Sequence, residues 1–219
     1  MKIIKKEAQF IIPSFLCFLL FIIINFKRFF LVSDLSYWSS YLTNQPYRIL
    51  SYSFVHKDFN HLLSNLFGII VVRYCFINLN LKNIFLFLYL IILLIPIQTF
   101  FLFVVDNFLF YNPNHLLVGF SGIIFGTFSF ILLSSLYGKE YIFNIFIGLK
   151  KNNEIYRLTT VFLSIGIIYS LLPSISLSGH VTGILSGFII FQMVKSGMKK
   201  IINMQLKMGH MLNIIKMVR

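Results

Sequence analysis

Charge is scarce in this chain: only 11% of its 219 residues are Asp, Glu, Lys or Arg, against roughly 25% in an ordinary soluble domain. Acids number six, and Asp106 is the only one near the outer side of the later apolar runs, so a conventional Ser-His-acid triad lacks an evident acid. The two cysteines, Cys17 and Cys75, fall in separate apolar runs; burial as thiols is expected rather than a disulfide. H-E-x-x-H is absent, and there is no internal repeat. No small-residue cleavage site follows the first apolar run, which Lys27-Arg28 closes, so that run reads as a retained span rather than a signal peptide.

What is abundant is apolar. Hydrophobic residues make up 58% of the chain and phenylalanine alone occupies 27 positions. That surface is too large for a soluble protein to hide, and the chain reads as an integral membrane protein of one domain, residues 1–219. A hydrocarbon core needs about 20 apolar residues per helix, with about 17–25 acceptable. Segments 10–26, 61–79, 84–105, 116–136, 158–172 and 180–194 meet that need, the last two near the short limit. Backbone groups in lipid must pair within their own segment, which makes these spans helices and the fold all-α.

The net charge of +13 sits between and beside the apolar runs. It therefore reads as a topology signal, and no nucleic-acid partner is expected. With the N-terminus inside, only Lys27, Arg28, Arg48 and Lys57 of the 19 Lys and Arg fall outside, which predicts both termini on the cytoplasmic side. In the first outer loop, Phe29-Phe30-Leu31 and Tyr37-Trp38 are expected at the membrane interface, and 137–156 partly on the inner surface. Residues 195–219 carry apolar positions at helical spacing among lysines, the pattern of a basic amphipathic helix on an anionic leaflet or of a partner-binding helix.

Three polar clusters interrupt the apolar runs. Ser121 lies in Gly119-Phe120-Ser121-Gly122, after an Asn112-Pro113-Asn114 break that places it near a helix start, where backbone N–H groups are free to hold an oxyanion. Gly122 and Gly126 would also serve simple helix packing. His180 follows Gly179, and Gly179, Gly183 and Gly187 give its helix a smooth face. Packed on Gly122 and Gly126, that face would bring the imidazole within hydrogen-bond reach of Ser121; an interfacial cap is the plainer reading. His61 and Asn65, four apart, share one helix face, and both can donate hydrogen bonds or act as interhelical glue. His56 lies in the loop before them. A metal held by His56, His61 and His180 lacks a supporting carboxylate or thiolate, so no metal is expected.

Taken in order, His56-x4-His61-x3-Asn65, Gly119-x-Ser121-Gly122 and His180-x2-Gly183-x3-Gly187 resemble the signatures of the rhomboid intramembrane serine proteases. The resemblance implies a six-helix rhomboid-like bundle in the basic bacterial form, hence a bacterial cytoplasmic membrane. It implies a Ser-His dyad with no cofactor, Ser121 as nucleophile and His180 as general base. Asn65, His61 and the Ser121 backbone N–H would form the oxyanion site, with Phe125 stacked under the histidine where the family often has Tyr. Its substrates would be membrane proteins cut within a transmembrane segment near the outer side. The alternative is a rhomboid-like protein that binds transmembrane helices without cutting them.

Overall fold

The computed structural model describes residues 2–27, 30–79, 84–142, 145–172 and 175–193; the amphipathic tail expected over 195–219 lies outside them. Its helices are α1 (Lys2–Ile22, continued by a π turn over Ile23–Lys27), α2 (Val32–Leu35), α3 (Arg48–Ser51), α4 (Phe59–Asn78), α5 (Leu86–Val104, continued by a π turn over Val105–Leu109), α6 (Ser121–Tyr137) and α7 (Asn153–Tyr169). A final helix, α8, spans Leu177–Met193.

Among the described residues, three helical stretches are long and apolar enough to cross a membrane: Glu7–Phe26, Phe59–Asn78 and Leu86–Leu109. The helices α6 and α8 are apolar but shorter. At 1.5 Å per residue, the 17 residues of α6 reach about 26 Å, short of a hydrocarbon core of about 30 Å.

The boundaries depart from the sequence expectations for local reasons. Residues 116–120 are apolar but not helical: Leu116–Leu117 form strand β2, paired antiparallel with β1 (Tyr37–Trp38), and α6 begins only at Ser121. Helix α7 begins at Asn153 because Asn152 caps it, its side chain accepting the Glu154 and Ile155 N–H groups at 3.1 and 3.0 Å. It ends at Tyr169 rather than at 172. Helix α8 starts at Leu177, so His180 lies inside its first turn rather than at its head. The connection between α6 and α7, expected on the inner membrane surface, contains a β3–β4 antiparallel pair, Lys139–Ile142 with Ile145–Leu149.

Helix α6 stands at the centre. Its buried residues include the consecutive run Gly126, Thr127, Phe128, Ser129, Phe130 and Ile131, which goes all the way around the helix, as expected of one surrounded by others. Leu62 and Val72 of α4, Phe87, Leu90 and Leu94 of α5, and Ile190 and Phe191 of α8 share its core. The outer faces stay apolar: Phe67, Ile92, Phe100 and Ile168 are exposed, a surface suited to lipid rather than water. Helix α1 is tied to α4 by a two-pronged Arg73–Glu7 ion pair at 2.5 and 3.0 Å, and to α5 by the Gln9 side-chain oxygen, which accepts the Phe87 N–H at 2.9 Å. Cys17 and Cys75 are buried free thiols, as expected.

The segment between α1 and α4 is a built structure over its described residues, which leave out Phe29. Phe30 and Leu31 are exposed, whereas Tyr37 is fully buried. The Arg48 guanidinium, only 5% exposed, donates to the Ser33 and Ser36 carbonyls at 2.7 Å each and to Gln45 Oε1 at 2.6 Å. It lies under the rings of Trp38, Tyr41 and Tyr47. Ser39 and Ser40 donate to the Pro113 carbonyl at 2.9 and 3.0 Å, and the Trp38 indole donates to Asn114 at 3.3 Å. The segment between α1 and α4 is thereby fastened to the loop that delivers α6.

Candidate functional site

The chain reaches Ser121 through Gly119, whose φ of +115° is open to glycine and strained for other residues. Its N–H donates to the Tyr52 carbonyl at 2.9 Å. A side chain here would also strike the His61 ring, since a Cβ would lie 2.5 Å from Nε2 and 2.6 Å from Cε1. Ser121 is the first residue of α6. Its hydroxyl therefore stands at the helix mouth beside first-turn N–H groups that have no intrahelical acceptor.

His180 comes from the first turn of α8 and is 7% exposed. Its Nε2 lies 2.9 Å from Ser121 Oγ, and its Nδ1 contacts the Ser170 hydroxyl at the end of α7. Its ring lies flat on Phe125, centroids 4.1 Å apart and planes within 7°. The far edge of the Phe125 ring rests on Gly166 of α7, where a Cβ would overlap it.

Helix contact makes this pairing possible. A Cβ on Gly183 would run into the Gly122 carbonyl, and one on Gly187 into the Gly126 carbonyl. The backbones of α6 and α8 thus touch where glycines face each other. The Gln98 amide of α5 lies against Gly122 and donates to the Gly179 carbonyl at 3.0 Å, fixing the head of α8.

On the third side, Asp58 caps α4 by accepting the His61 N–H at 2.8 Å. Asn65 is 2% exposed, and its amide nitrogen donates to the His61 carbonyl at 2.9 Å. That bond uses one of two N–H hydrogens and leaves the other available. Both side chains border Gly119, a Cβ there lying 3.6 Å from Asn65 Nδ2. His56 does not join them at Ser121. It is fully buried, donates from Nδ1 to the Phe54 carbonyl at 3.1 Å, and meets the His61 ring edge-on at 5.1 Å. Burial, reinforced by the nearby His61, pushes the His56 imidazole down to about 3, so it is a neutral buttress of His61 at ordinary pH.

Asp106, the acid that the sequence places near the later apolar runs, is turned inward. It is 1% exposed, and the ring of His115 lies 3.2 Å from its Oδ1. Nothing in the spacing of these two residues, nine apart across an irregular turn, signals that pairing. Ser170 was equally silent, because a serine closing a helix usually bonds its own carbonyls. Among the described residues there is no group of three or more metal-ligating side chains.

The arrangement places a hydroxyl against a neutral-capable imidazole nitrogen, with unspent N–H donors beside it. That is the equipment for attacking a carbonyl and holding the charge that develops. A family model described as the rhomboid domain matches residues 43–196, from the segment before α3 through α8. No curated protein matches the chain.

Proposed function

The chain belongs to the rhomboid family, a family of intramembrane proteases, and on that premise we propose that it is an active serine endopeptidase cutting transmembrane segments of membrane proteins by a Ser121–His180 dyad. The observation that carries the reading is the 2.9 Å approach of His180 Nε2 to Ser121 Oγ, within the reach a general base needs. As Ser121 Oγ bonds to the scissile carbonyl carbon, His180 Nε2 takes its proton. The tetrahedral oxyanion is held by Asn65 Nδ2, a ring N–H of His61 and the Ser121 N–H. His180 then returns the proton to the departing amine, and water drawn through the same base releases the acyl group.

In this reading α1, α4, α5, α6, α7 and α8 are the six spans of one domain, the shorter ones crossing a locally thinned or water-reached region. Helices α4, α6 and α8 then run in the same direction, so His61, Ser121 and His180 all lie near the outer ends of their helices. That places the cut near the outer side of a bacterial cytoplasmic membrane, with both termini inside. Reporter fusions after Asn112 and after Arg219 are expected to score outside and inside, respectively; the reverse pattern would contradict the orientation.

Loss of one oxyanion donor costs about 10²–10³ in turnover. Asn65→Ala is therefore expected to cut a transmembrane substrate at least about 10²-fold more slowly while remaining folded, and the His61→Ala double variant to be slower still. Wild-type turnover in the double variant would remove both residues from the mechanism. The function itself is tested with purified protein in liposomes and a panel of transmembrane segments carrying helix-breaking residues. Cleavage by the wild type is expected; a folded wild type that binds these segments and cuts none would favour the binding-only alternative.

A further inference from the structure

We propose that Ser170 is a positioning residue for the dyad: its hydroxyl oxygen accepts the Nδ1–H of His180 and so holds the imidazole in the one tautomer that can act as base. The inference deepens the protease reading and rests on it for its kinetic consequences, though not for the hydrogen bond.

Donor and acceptor accounting leads to it. Ser170 is 2% exposed, and its Oγ contacts two atoms, His180 Nδ1 and the Gly166 carbonyl oxygen at 2.6 Å. A carbonyl oxygen can only accept, so the single hydroxyl hydrogen of Ser170 is given to Gly166. The oxygen then meets Nδ1 as an acceptor, and Nδ1 must carry the proton. A neutral imidazole has one N–H, so Nε2 is left with its lone pair, 2.9 Å from the Ser121 hydroxyl that it is to deprotonate. The chain of bonds runs Ser121 O–H to Nε2, Nδ1–H to Ser170 Oγ, and Ser170 O–H to Gly166 O. No carboxylate takes the Nδ1 side among the described residues, since Asp106 is engaged with His115.

Without the Ser170 hydroxyl, a buried Nδ1–H would lose its acceptor, which is costly in a dry site. The imidazole would regain a partner by moving its proton to Nε2 and donating to Ser121. That form cannot take the serine proton. Helix α7 thus grips the histidine twice, by this hydroxyl at Nδ1 and through Gly166 behind the Phe125 ring.

The test compares wild type, Ser170→Ala and Ser170→Thr by cleavage kinetics on a transmembrane substrate and by 15N NMR of histidine-labelled protein in lipid. The His180 signals are identified by their loss in His180→Ala. Wild type is expected to show a protonated Nδ1 and a bare Nε2. Ser170→Ala is expected to shift toward protonated Nε2 and to lose about 100-fold in kcat, the lower end of what a positioned base contributes, with KM little changed. Ser170→Thr, which restores a hydroxyl, is expected to recover both readouts; if it fails to fold, the tautomer of Ser170→Ala decides alone. A wild-type imidazole protonated at Nε2, or a Ser170→Ala protein with wild-type kcat and an unchanged tautomer, would overturn the proposal. A wild type that cuts nothing, yet shows protonated Nδ1 that is lost in Ser170→Ala, would support the hydrogen bond and overturn the protease reading instead.

Discussion

Ser121→Ala and His180→Ala are each expected to lower cleavage of a transmembrane substrate by about 10⁴-fold or more, and the double variant to be no worse than either alone. A serine hydroxyl is a weak nucleophile until an adjacent base takes its proton, and the base is of no use without the hydroxyl. Groups that act as one unit fail together rather than additively. Neither substitution should unfold the protein. Ser121 sits at the mouth of α6 rather than in its packed middle, and removing the imidazole frees Phe125 and Ser170 rather than stranding a charge. Asp106→Asn is the contrasting control. Its carboxylate is committed to His115, so any loss should appear as lower thermal stability and not as lower kcat. Multiplying losses in the double variant would mean that the two residues act independently, against the dyad.

Gly183→Ala is the second large effect, and it acts through the backbone. The added methyl would enter the Gly122 carbonyl, with that residue's C and Cα at 3.0 and 3.1 Å from it. No side chain can swing away, so α8 must move off α6. Overpacking of this kind costs about 1–3 kcal/mol. Displacing a reacting group by about 1 Å costs about 10²-fold in rate, and the displaced helix carries His180. A loss of about 10²-fold or more in kcat is expected, together with a lower Tm. Gly68→Ala offers the comparison. There the obstacle is only the Ile124 side chain, its Cδ1 at 2.7 Å and its Cγ2 at 3.1 Å from the added carbon, which can yield without moving a backbone. Most activity should survive. Equal losses in the two variants would show that the α6–α8 backbone contact is not what sets the dyad distance.

These effects also mark what the sequence could disclose. That Ser121 meets His180, and that His61 and Asn65 come together at Gly119, follows a sequence signal: polar side chains within apolar runs are expensive and need a reason. Gly183 and Gly187 were legible because a four-residue repeat of glycine predicts a smooth helix face, and that face does meet Gly122 and Gly126. The start of α6 falls five residues beyond the expected one, because Leu116 and Leu117 are as apolar as any helix. Their pairing with Tyr37 and Trp38, nearly eighty residues away, leaves no periodic trace in strands of two residues. Ser170 was invisible for a different reason. A hydroxyl that bonds the carbonyl four residues back is ordinary in any helix, and only the approach of α8 turns its oxygen toward an imidazole. The burial of Asp106 brings it beside Tyr37 and His115, a meeting of separate segments that no local pattern encodes.

The most direct test of the central claim is covalent labelling by a fluorophosphonate, followed by mapping of the modified peptide. The reagent phosphonylates a serine only where a neighbouring base and an oxyanion site activate it. Labelling of the folded wild type is expected at Ser121, with none in His180→Ala. A folded wild type that does not label, or an adduct carried by another serine such as Ser64, would contradict the account.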